Sequence, residues 1–193
     1  MLQFYKKYQT YIIAGGLSIA AALIIWYLFF YEKVTKEMLG NSNIQAFLKM
    51  IRYAEGTAGA QGYNTMFGGK TFADLTDHPR VATPFTYKAP DGSIVQSKSD
   101  AAGAYQFMSA TWDDVKAKLN LKDFSAASQD LAAVELIRRA GALSAVMSGD
   151  FKKAIDKCKN TWASLPNAPY GQPTKAYATL LNVYTQNGGS ITT

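Results

Sequence analysis

Apolar residues recur at three- and four-residue intervals in five segments after position 40, the spacing of one buried face of a helix. In the first segment, Ser42 with Gln45 three positions later forms a capping-box pattern that predicts the helix start. Pro173 suits the first turn of the last helix, where its missing N–H removes no hydrogen bond. The five apolar stripes are Ile44, Phe47, Leu48, Ile51; Trp112, Val115, Leu119; Leu131, Val134, Ile137; Phe151, Ala154, Ile155, Cys158, Trp162; and Tyr177, Leu180, Leu181, Tyr184.

Between the first and second helices the pattern changes, and glycine, proline and threonine punctuate the chain. Residues 84–97, "PFTYKAPDGSIVQS", predict two short strands around a turn at Asp91-Gly92. We therefore expect an α+β fold, mostly helical, with a small β-hairpin lobe inserted after the first helix. Two lobes imply a cleft between them, and clefts hold binding sites.

The N-terminal part has a different character, because residues 8–31 contain no charged side chain. About 20 apolar residues, at ~1.5 Å each in a helix, span a ~30 Å hydrocarbon core. A cleaved signal peptide is the alternative, but "LIIWYLFF" follows the small residues and would be left exposed on a mature N-terminus. We expect a tail at 1–10, a transmembrane signal anchor at 11–31 in contact with the lipid bilayer, a linker at 32–43 and a globular domain at 44–193. The short tail favours translocation of the large domain.

Composition removes several classes of function. The 193 residues carry a net charge of +6, which can favour anionic partners. The basic residues form no long run and no nucleic-acid-binding motif, so we expect no nucleic acid as partner. A single cysteine and a single histidine exclude an intrachain disulfide and zinc sites made of several His and Cys ligands. We expect neither a metal nor a cofactor.

Glu55 is the main candidate for chemistry. It lies four positions after Ile51, on the apolar stripe of the first helix, and Gly56 follows it. Burial disfavours the charged carboxylate, and so does the negative end of the helix dipole. Both effects raise the pKa, as a general acid working near neutral pH requires. The alternatives are an ion pair with Arg52 or Arg80, or an exposed residue of a fraying helix end.

Other candidates have simpler explanations. Glu135, the only other glutamate after residue 40, lies three and four positions before Arg138 and Arg139, which predicts an intrahelical ion pair. His78 precedes a proline in the polar lobe, and we interpret it as a local hydrogen-bonding residue. Cys158 lies on an apolar stripe in mid-helix, whereas a reactive thiol needs partial exposure, so we expect it in the core.

Two short segments could contact a sugar. "GAYQF" places Tyr105 and Gln106 where the small lobe rejoins the helices, and "NAPYGQP" holds Tyr170 and Gln172 in a loop. Tyrosine can stack on a sugar ring and glutamine can hydrogen-bond to its hydroxyls. Ordinary packing between the lobes is the alternative for the first pair.

Several short motifs stand in the order and approximate spacing of the lambda-type phage endolysins: "YAEGT", "DHPR", "GAYQ", "LKDFSAASQD", "GAL", "AID", "WASLP" and "YGQ". Residues 46–189 resemble this family. The resemblance implies a lysozyme-superfamily fold and a lytic transglycosylase that cleaves MurNAc–GlcNAc β-1,4 bonds of peptidoglycan glycan strands and leaves a 1,6-anhydro end. It places the single catalytic glutamate at Glu55 and substrate contacts at Tyr105, Gln106, Tyr170 and Gln172.

The sequence departs from the family pattern in three respects. Ala104 stands where the family has arginine, Ala54 stands where it has serine, and the N-terminal anchor is an addition. With the anchor, we expect a single-pass protein of the host inner membrane or a virion membrane, its domain in the periplasm, serving lysis or invasion of the cell. The alternative is a membrane-tethered glycan-binding or virion structural protein with an inactive fold. For a hydrolytic mechanism, Asp77 and Asp100 are the nearest candidates for a second carboxylate.

Overall fold

The computed structural model describes residues 34–89, 91–171 and 173–192. Within them the chain forms a mostly helical α+β unit, as predicted. The elements in chain order are α1 (Ser42–Ala54), β1 (Thr83–Lys88), β2 (Ile94–Ser99), α2 (Ser109–Leu119), α3 (Ala126–Arg139), α4 (Leu143–Ser148), α5 (Phe151–Cys158) and α6 (Tyr177–Gln186).

Helix α1 lies at the centre of the helical lobe, where it packs against α6, α4 and α3. Its predicted stripe is buried, and Ala46, Met50 and Ala54 are buried as well, so α1 is enclosed on most sides. The N-cap of α1 was predicted one residue too late in the chain, at Ser42. Asn41 is the N-cap, because its side-chain oxygen accepts hydrogen bonds from the backbone N–H groups of Asn43 and Ile44. The side-chain nitrogen of Gln45 donates instead to the carbonyl of Leu39.

Aromatic rings fill the core around this helix. The rings of Trp112 and Phe124 meet edge to face, with centroids 4.6 Å apart, and Phe107 contacts both. A second group joins Phe151 and Tyr184, with centroids 4.8 Å apart. Edge-to-face rings are favoured by their quadrupoles in addition to the buried area.

The predicted hairpin is present. Strands β1 and β2 pair antiparallel, in a register that runs from Thr83 opposite Ser99 to Lys88 opposite Ile94. Gly92 has φ 89°, a conformation that a side chain disfavours, which explains the glycine in the turn. Both strands are largely exposed, so the hairpin projects a surface rather than completing the core.

The last helix starts later than predicted. Helix α6 begins at Tyr177, and its N-cap Ala176 is extended, with ψ 138°. The backbone N–H of Lys175 donates to the carbonyl of Ser164 at 2.9 Å. This bond commits the segment after Pro173 to a loop, so the proline lies outside the helix.

The globular unit begins at Val34. The described part of the predicted linker forms a 3₁₀ turn, Lys36–Gly40, and Met38 and Leu39 pack against the core. The predicted tail and anchor, residues 1–31, lie outside the described residues. Among the residues that are described, the structure has no helix with the length and apolar character needed to cross a membrane.

Candidate active site

Helix α1 ends in a sharp turn that presents Glu55. The N–H of Gly56 donates to the carbonyl of Tyr53, and the N–H of Thr57 donates to that of Arg52. These two bonds form a Schellman motif, in which the residue after the cap is left-handed. Gly56 takes this position with φ 76°. The glycine that follows Glu55 in the sequence is therefore the residue that turns the chain away and leaves the carboxylate at the helix end.

Glu55 lines a pocket of about 300 Å³. We call it the Glu55 pocket. It lies between the end of α1 and the segment that precedes the hairpin. Among the described residues that line it, Glu55 is the only ionisable one, so none of them is a cation that could neutralise the carboxylate. The lining residues are Glu55, Gly56, Thr57, Thr65, Met66, Phe67, Gly68, Gly69 and Gln106.

Burial raises the pKa of Glu55 above its ordinary value, as predicted, and a hydrogen bond opposes part of this effect. The hydroxyl of Ser164 donates to Oε1 of Glu55 at 2.5 Å. A donor to the carboxylate stabilises the charged form. The net effect is a raised pKa.

The proposed ion pairs of Glu55 are not what the structure shows. The guanidinium of Arg52 lies over the ring of Tyr63, 4.4 Å from its centroid, and donates to the Tyr63 hydroxyl. The guanidinium of Arg80 is paired with Asp113 and Asp77. Both cations are therefore engaged elsewhere.

A buried polar scaffold holds the segment after Glu55. The hydroxyl of Thr57 donates to the carbonyl of Ala104 at 2.5 Å. The backbone N–H of Ala104 in turn donates to Oε1 of Gln129, a fully buried side chain on α3. These bonds fix the distance between the end of α1 and the 103–107 segment, because buried polar groups without partners are costly.

Ser164 reaches Glu55 from a loop far away in the chain. The neighbouring Trp162 is buried, and its indole N–H donates to the carbonyl of Tyr105 at 3.2 Å. The indole thereby anchors the loop to the same 103–107 segment. Sequence inspection missed Ser164 and Thr57, since a lone hydroxyl in a loop has no distinguishing pattern.

The predicted contacts Tyr105 and Gln106 have different environments. Gln106 lines the Glu55 pocket, and its side-chain nitrogen donates to the carbonyls of Gly103 and Thr65. Tyr105 is only 1% exposed, and its hydroxyl donates to Asp130 at 2.6 Å. A ring that stacks on a sugar must be accessible, so the structure places Tyr105 in the core instead.

Of the two predicted contacts in the last loop, Tyr170 does not line the Glu55 pocket. Tyr170 is 51% exposed, and its hydroxyl donates to the carbonyl of Asn160. Gln172 lies outside the described residues.

Neither aspartate considered as a second carboxylate lines the Glu55 pocket. Burial alone would raise the pKa of Asp77. Hydrogen bonds from Trp112, Lys116 and Arg80 nevertheless hold this pKa well below its usual range. The carboxylate of Asp100 accepts hydrogen bonds from the hydroxyl and the backbone N–H of Ser109.

The interpretations of His78, Cys158 and Glu135 are confirmed. His78 is buried, with one ring nitrogen bonded to the Phe107 carbonyl and the other accepting from a backbone N–H, and burial lowers its pKa. Cys158 is buried, and burial raises the pKa of its thiol to about 12. Glu135 forms ion pairs with Arg138 and Arg139.

Comparison with known proteins gives matches over the globular part. A family model described as Endolysin matches residues 45–191. The endolysin of Escherichia phage lambda is 39% identical over 157 residues, covering 78% of this chain and 94% of that relative. The endolysin of Escherichia phage P2 is 37% identical over 163 residues, covering 77% of this chain and 94% of that relative.

Solved structures agree with this match. Bacteriophage lambda lysozyme complexed with a chitohexasaccharide has a TM-score of 0.69 and 40% identity, covering 79% of this chain and 97% of that chain. A second structure of lysozyme from bacteriophage lambda has a TM-score of 0.67 and 39% identity. The predicted lysozyme-type fold is confirmed for the described residues.

These findings correct the predicted localisation. The expectation of a single-pass protein of the host inner membrane or a virion membrane is wrong. The relatives that overturn it are phage endolysins, which match this chain over 94% of their own length.

Proposed function

This chain belongs to the phage endolysin family, and we propose that it is a lytic transglycosylase acting on peptidoglycan glycan strands. In this proposal Glu55 alone carries the chemistry at the MurNAc–GlcNAc bond. The observation that carries the proposal is the composition of the Glu55 pocket, in which the only carboxylate is one whose pKa is raised by burial. A hydrolase with the usual pair of catalytic carboxylates needs a second one across the scissile bond.

In the first step Glu55, protonated, donates its proton to the glycosidic oxygen while the bond to C1 of MurNAc breaks. The positive charge that develops at C1 has no carboxylate to stabilise it in the pocket wall. The N-acetyl group of the substrate supplies this stabilisation instead, as in substrate-assisted glycosidases.

In the second step Glu55, now a carboxylate, takes the proton of the MurNAc C6 hydroxyl as that oxygen attacks C1. The new C6–O–C1 bond closes the 1,6-anhydro ring, and Glu55 is protonated again for the next cycle. Acid and base are the same residue in succession. The Ser164 hydroxyl stabilises the carboxylate between the two steps, because it donates to Oε1.

Substrate contacts follow from the same pocket. Gln106 lies in its wall, and with its nitrogen bound to two backbone carbonyls, its amide oxygen can accept from a sugar hydroxyl. Tyr170 is exposed, and it stays a predicted contact together with Gln172. The endolysin relatives favour lysis of the host cell as the biological role.

Product analysis tests the proposal. Digestion of purified peptidoglycan followed by mass spectrometry should give fragments with 1,6-anhydro ends, which lack one water relative to hydrolysed fragments. A digest made with a hydrolytic lysozyme is the matched control. Fragments with free reducing ends, heavier by one water, would reject the anhydro mechanism while leaving glycan cleavage in place.

The alternative function is a glycan-binding or virion structural protein with an inactive fold. The intact Glu55 pocket argues against it, since a carboxyl whose pKa is raised by burial and that faces an open pocket is typical of a catalytic site. Absence of any released fragment from the digest would favour this alternative.

A further inference from the structure

Asp130 joins two segments that contribute to the wall of the Glu55 pocket. Its Oδ1 atom accepts a hydrogen bond from the hydroxyl of Tyr105 at 2.6 Å and another from the hydroxyl of Tyr63 at 2.9 Å. Asp130 lies on α3, and the two tyrosines lie far from it and from each other in the chain. One carboxylate oxygen therefore connects three distant parts of the fold.

The preceding residue, Gln129, holds the same two segments through their backbones. Its side-chain nitrogen donates to the carbonyl of Tyr63 at 3.0 Å, and its side-chain oxygen accepts from the N–H of Ala104 at 2.8 Å. Gln129 thus fixes where the two main chains run, whereas Asp130 fixes the side chains of the tyrosines. The two neighbours differ in chemistry, since the amide of Gln129 stays neutral and the carboxyl of Asp130 can be ionised.

Both segments continue into the wall of the pocket. Thr65 follows Tyr63 by two positions, Gln106 follows Tyr105 directly, and both Thr65 and Gln106 line the pocket. The side-chain nitrogen of Gln106 donates to the carbonyl of Thr65 at 3.2 Å. Gln106 has φ 49°, a left-handed conformation that a side chain disfavours. Such a backbone persists only where its surroundings hold it, and the hydrogen bond of Tyr105 holds it from the next position.

Stability does not explain an ionised carboxyl at this place. Burial raises the pKa of Asp130, although hydrogen bonds from Tyr105 and Tyr63 and the charge of Arg52 oppose this effect. Among the described residues, these three are the titratable or charged groups that act on Asp130. A raised pKa means that the carboxyl ionises less readily in the folded chain than in the unfolded chain. Near neutral pH the charge of Asp130 therefore lowers stability.

We propose that Asp130 is a positioning residue for glycan binding, because its carboxylate holds the two tyrosines and thereby the two segments that line the Glu55 pocket. The proposal deepens the proposed function and rests on it, since the ligand is the glycan strand. The tyrosines keep their protons, because burial raises the pKa of Tyr63 to about 12 and also raises the pKa of Tyr105. A protonated Asp130 is a weaker acceptor than the carboxylate, so binding requires the charged form.

Glycan binding to a chain that cannot cleave tests this role. In a Glu55→Gln background, in which residue 55 no longer titrates, the dissociation constant is measured for soluble peptidoglycan fragments. Asp130→Asn keeps the shape of the side chain and should weaken binding about fivefold, the effect of one lost hydrogen bond to the substrate.

The pH dependence of binding gives a second measurement on the same two chains. The background chain should bind more weakly as the pH falls through the raised pKa of Asp130. Asp130→Asn should lack this acid dependence, since its amide takes up no proton. Carboxyl groups on the fragments titrate alike with both chains, so the difference between the chains reports Asp130.

Glu135→Gln in the same background is the matched control. It removes a buried carboxylate from the same helix, but the partners of Glu135 are Arg138 and Arg139 rather than the tyrosines. It should lower the midpoint of thermal unfolding more than Asp130→Asn does, and it should bind the fragments as tightly as the background chain. A merely structural role of Asp130 would instead make affinity follow stability.

Two tyrosine variants test the same hydrogen bond without changing a charge, and they carry the test if Asp130→Asn does not fold. Tyr105→Phe should weaken binding about as much as Asp130→Asn, and the double variant should bind no more weakly than either single variant. Tyr184→Phe is the control, because Tyr184 is also 1% exposed and its hydroxyl donates to the carbonyl of Ser190. It should leave binding unchanged.

Three results would overturn the role of Asp130: an unchanged affinity in Asp130→Asn or Tyr105→Phe, an equal loss of affinity in a matched control, or the same acid dependence with and without the carboxyl. Failure of the proposed function is visible separately, in the products of the chain with Glu55 intact. Fragments with free reducing ends would reject the transglycosylase, while the difference in binding between Asp130→Asn and Glu135→Gln would persist.

Discussion

The surroundings of Glu55 and Glu135 differ in a way that separates a proton donor from a structural ion pair. Glu135 is only 1% exposed, and Glu55 is partly exposed to its pocket. Burial alone would raise the pKa of both carboxyls. Yet the pKa of Glu135 is lowered, because hydrogen bonds and charge from Arg138 and Arg139 outweigh its burial. The pKa of Glu55 is raised by burial, because the hydrogen bond from the neutral Ser164 offsets only part of this effect.

The comparison shows that low solvent exposure alone does not raise the pKa of a glutamate. The decisive difference is the charge of the neighbours. The guanidinium groups approach Glu135 at 2.7 and 2.9 Å, whereas the wall of the Glu55 pocket contains no cation. Glu55 also lines an open pocket in which a substrate can lie, whereas Glu135 is almost fully enclosed.

The largest effect should come from Glu55→Gln. This change keeps the size of the side chain and removes the proton that the proposed mechanism transfers twice. We expect peptidoglycan cleavage, measured as release of soluble fragments, to fall about 10³-fold or more. The midpoint of unfolding should stay within a few degrees of that of the parent chain.

Glu135→Gln is the matched control for this loss. Its folded fraction should cleave at the parent rate, since Glu135 does not line the Glu55 pocket. If both variants cleaved as fast as the parent, Glu55 would not be the catalytic residue. If both lost activity alike, the distinction between the two glutamates would fail.

The same Glu135→Gln change should lower stability. It removes the carboxylate that Arg138 and Arg139 share. Because the arginine side chains are 17% and 32% exposed, the loss of stability should be smaller than for a fully buried ion pair. We expect a loss of about 2 kcal/mol in the free energy of unfolding, measured with urea. A carboxyl with a lowered pKa contributes stability above its ordinary value near 4.5, and loses it as the pH falls through the lowered pKa. The difference between parent and variant should therefore shrink in acid, and a constant difference would contradict the ion-pair account.

The two glutamates also show which features could be predicted from the sequence alone. The pairs of Glu135 follow from spacing on one helix, so they were predictable, as was the place of Glu55 at the end of an apolar stripe followed by glycine. The hairpin followed in the same way from its turn residues. In each case the determinants lie within a few positions of one another.

What the sequence did not show depends on contacts between distant segments. Ser164 lies 109 positions from Glu55, and nothing around it distinguishes it from other loop serines. Tyr105 has the right chemistry for a sugar contact, but Asp130 and the core around it hold it inside. Residue type predicts what a side chain can do, whereas exposure is decided by the rest of the fold.

The smallest and most diagnostic effect should come from Ser164→Ala, because it changes only the neutral partner of Glu55. Because the hydroxyl donates to the carboxylate, its removal should raise the pKa of Glu55 further, since the charged form loses its donor. The high-pH limb of the rate profile, which reports loss of the Glu55 proton, should then move to higher pH. The missing hydrogen bond should also lower the rate about threefold to tenfold.

The same change should alter how stability depends on pH. The stability that a raised pKa contributes is present below about 4.5 and is lost as the pH rises through the pKa of Glu55 in the folded protein. In Ser164→Ala this loss should therefore occur at higher pH. Ser164→Thr keeps a hydroxyl and should restore the parent profile. A limb that moves downward would mean that protonated Glu55 donates to Ser164, so that the serine stabilises the acid rather than the carboxylate.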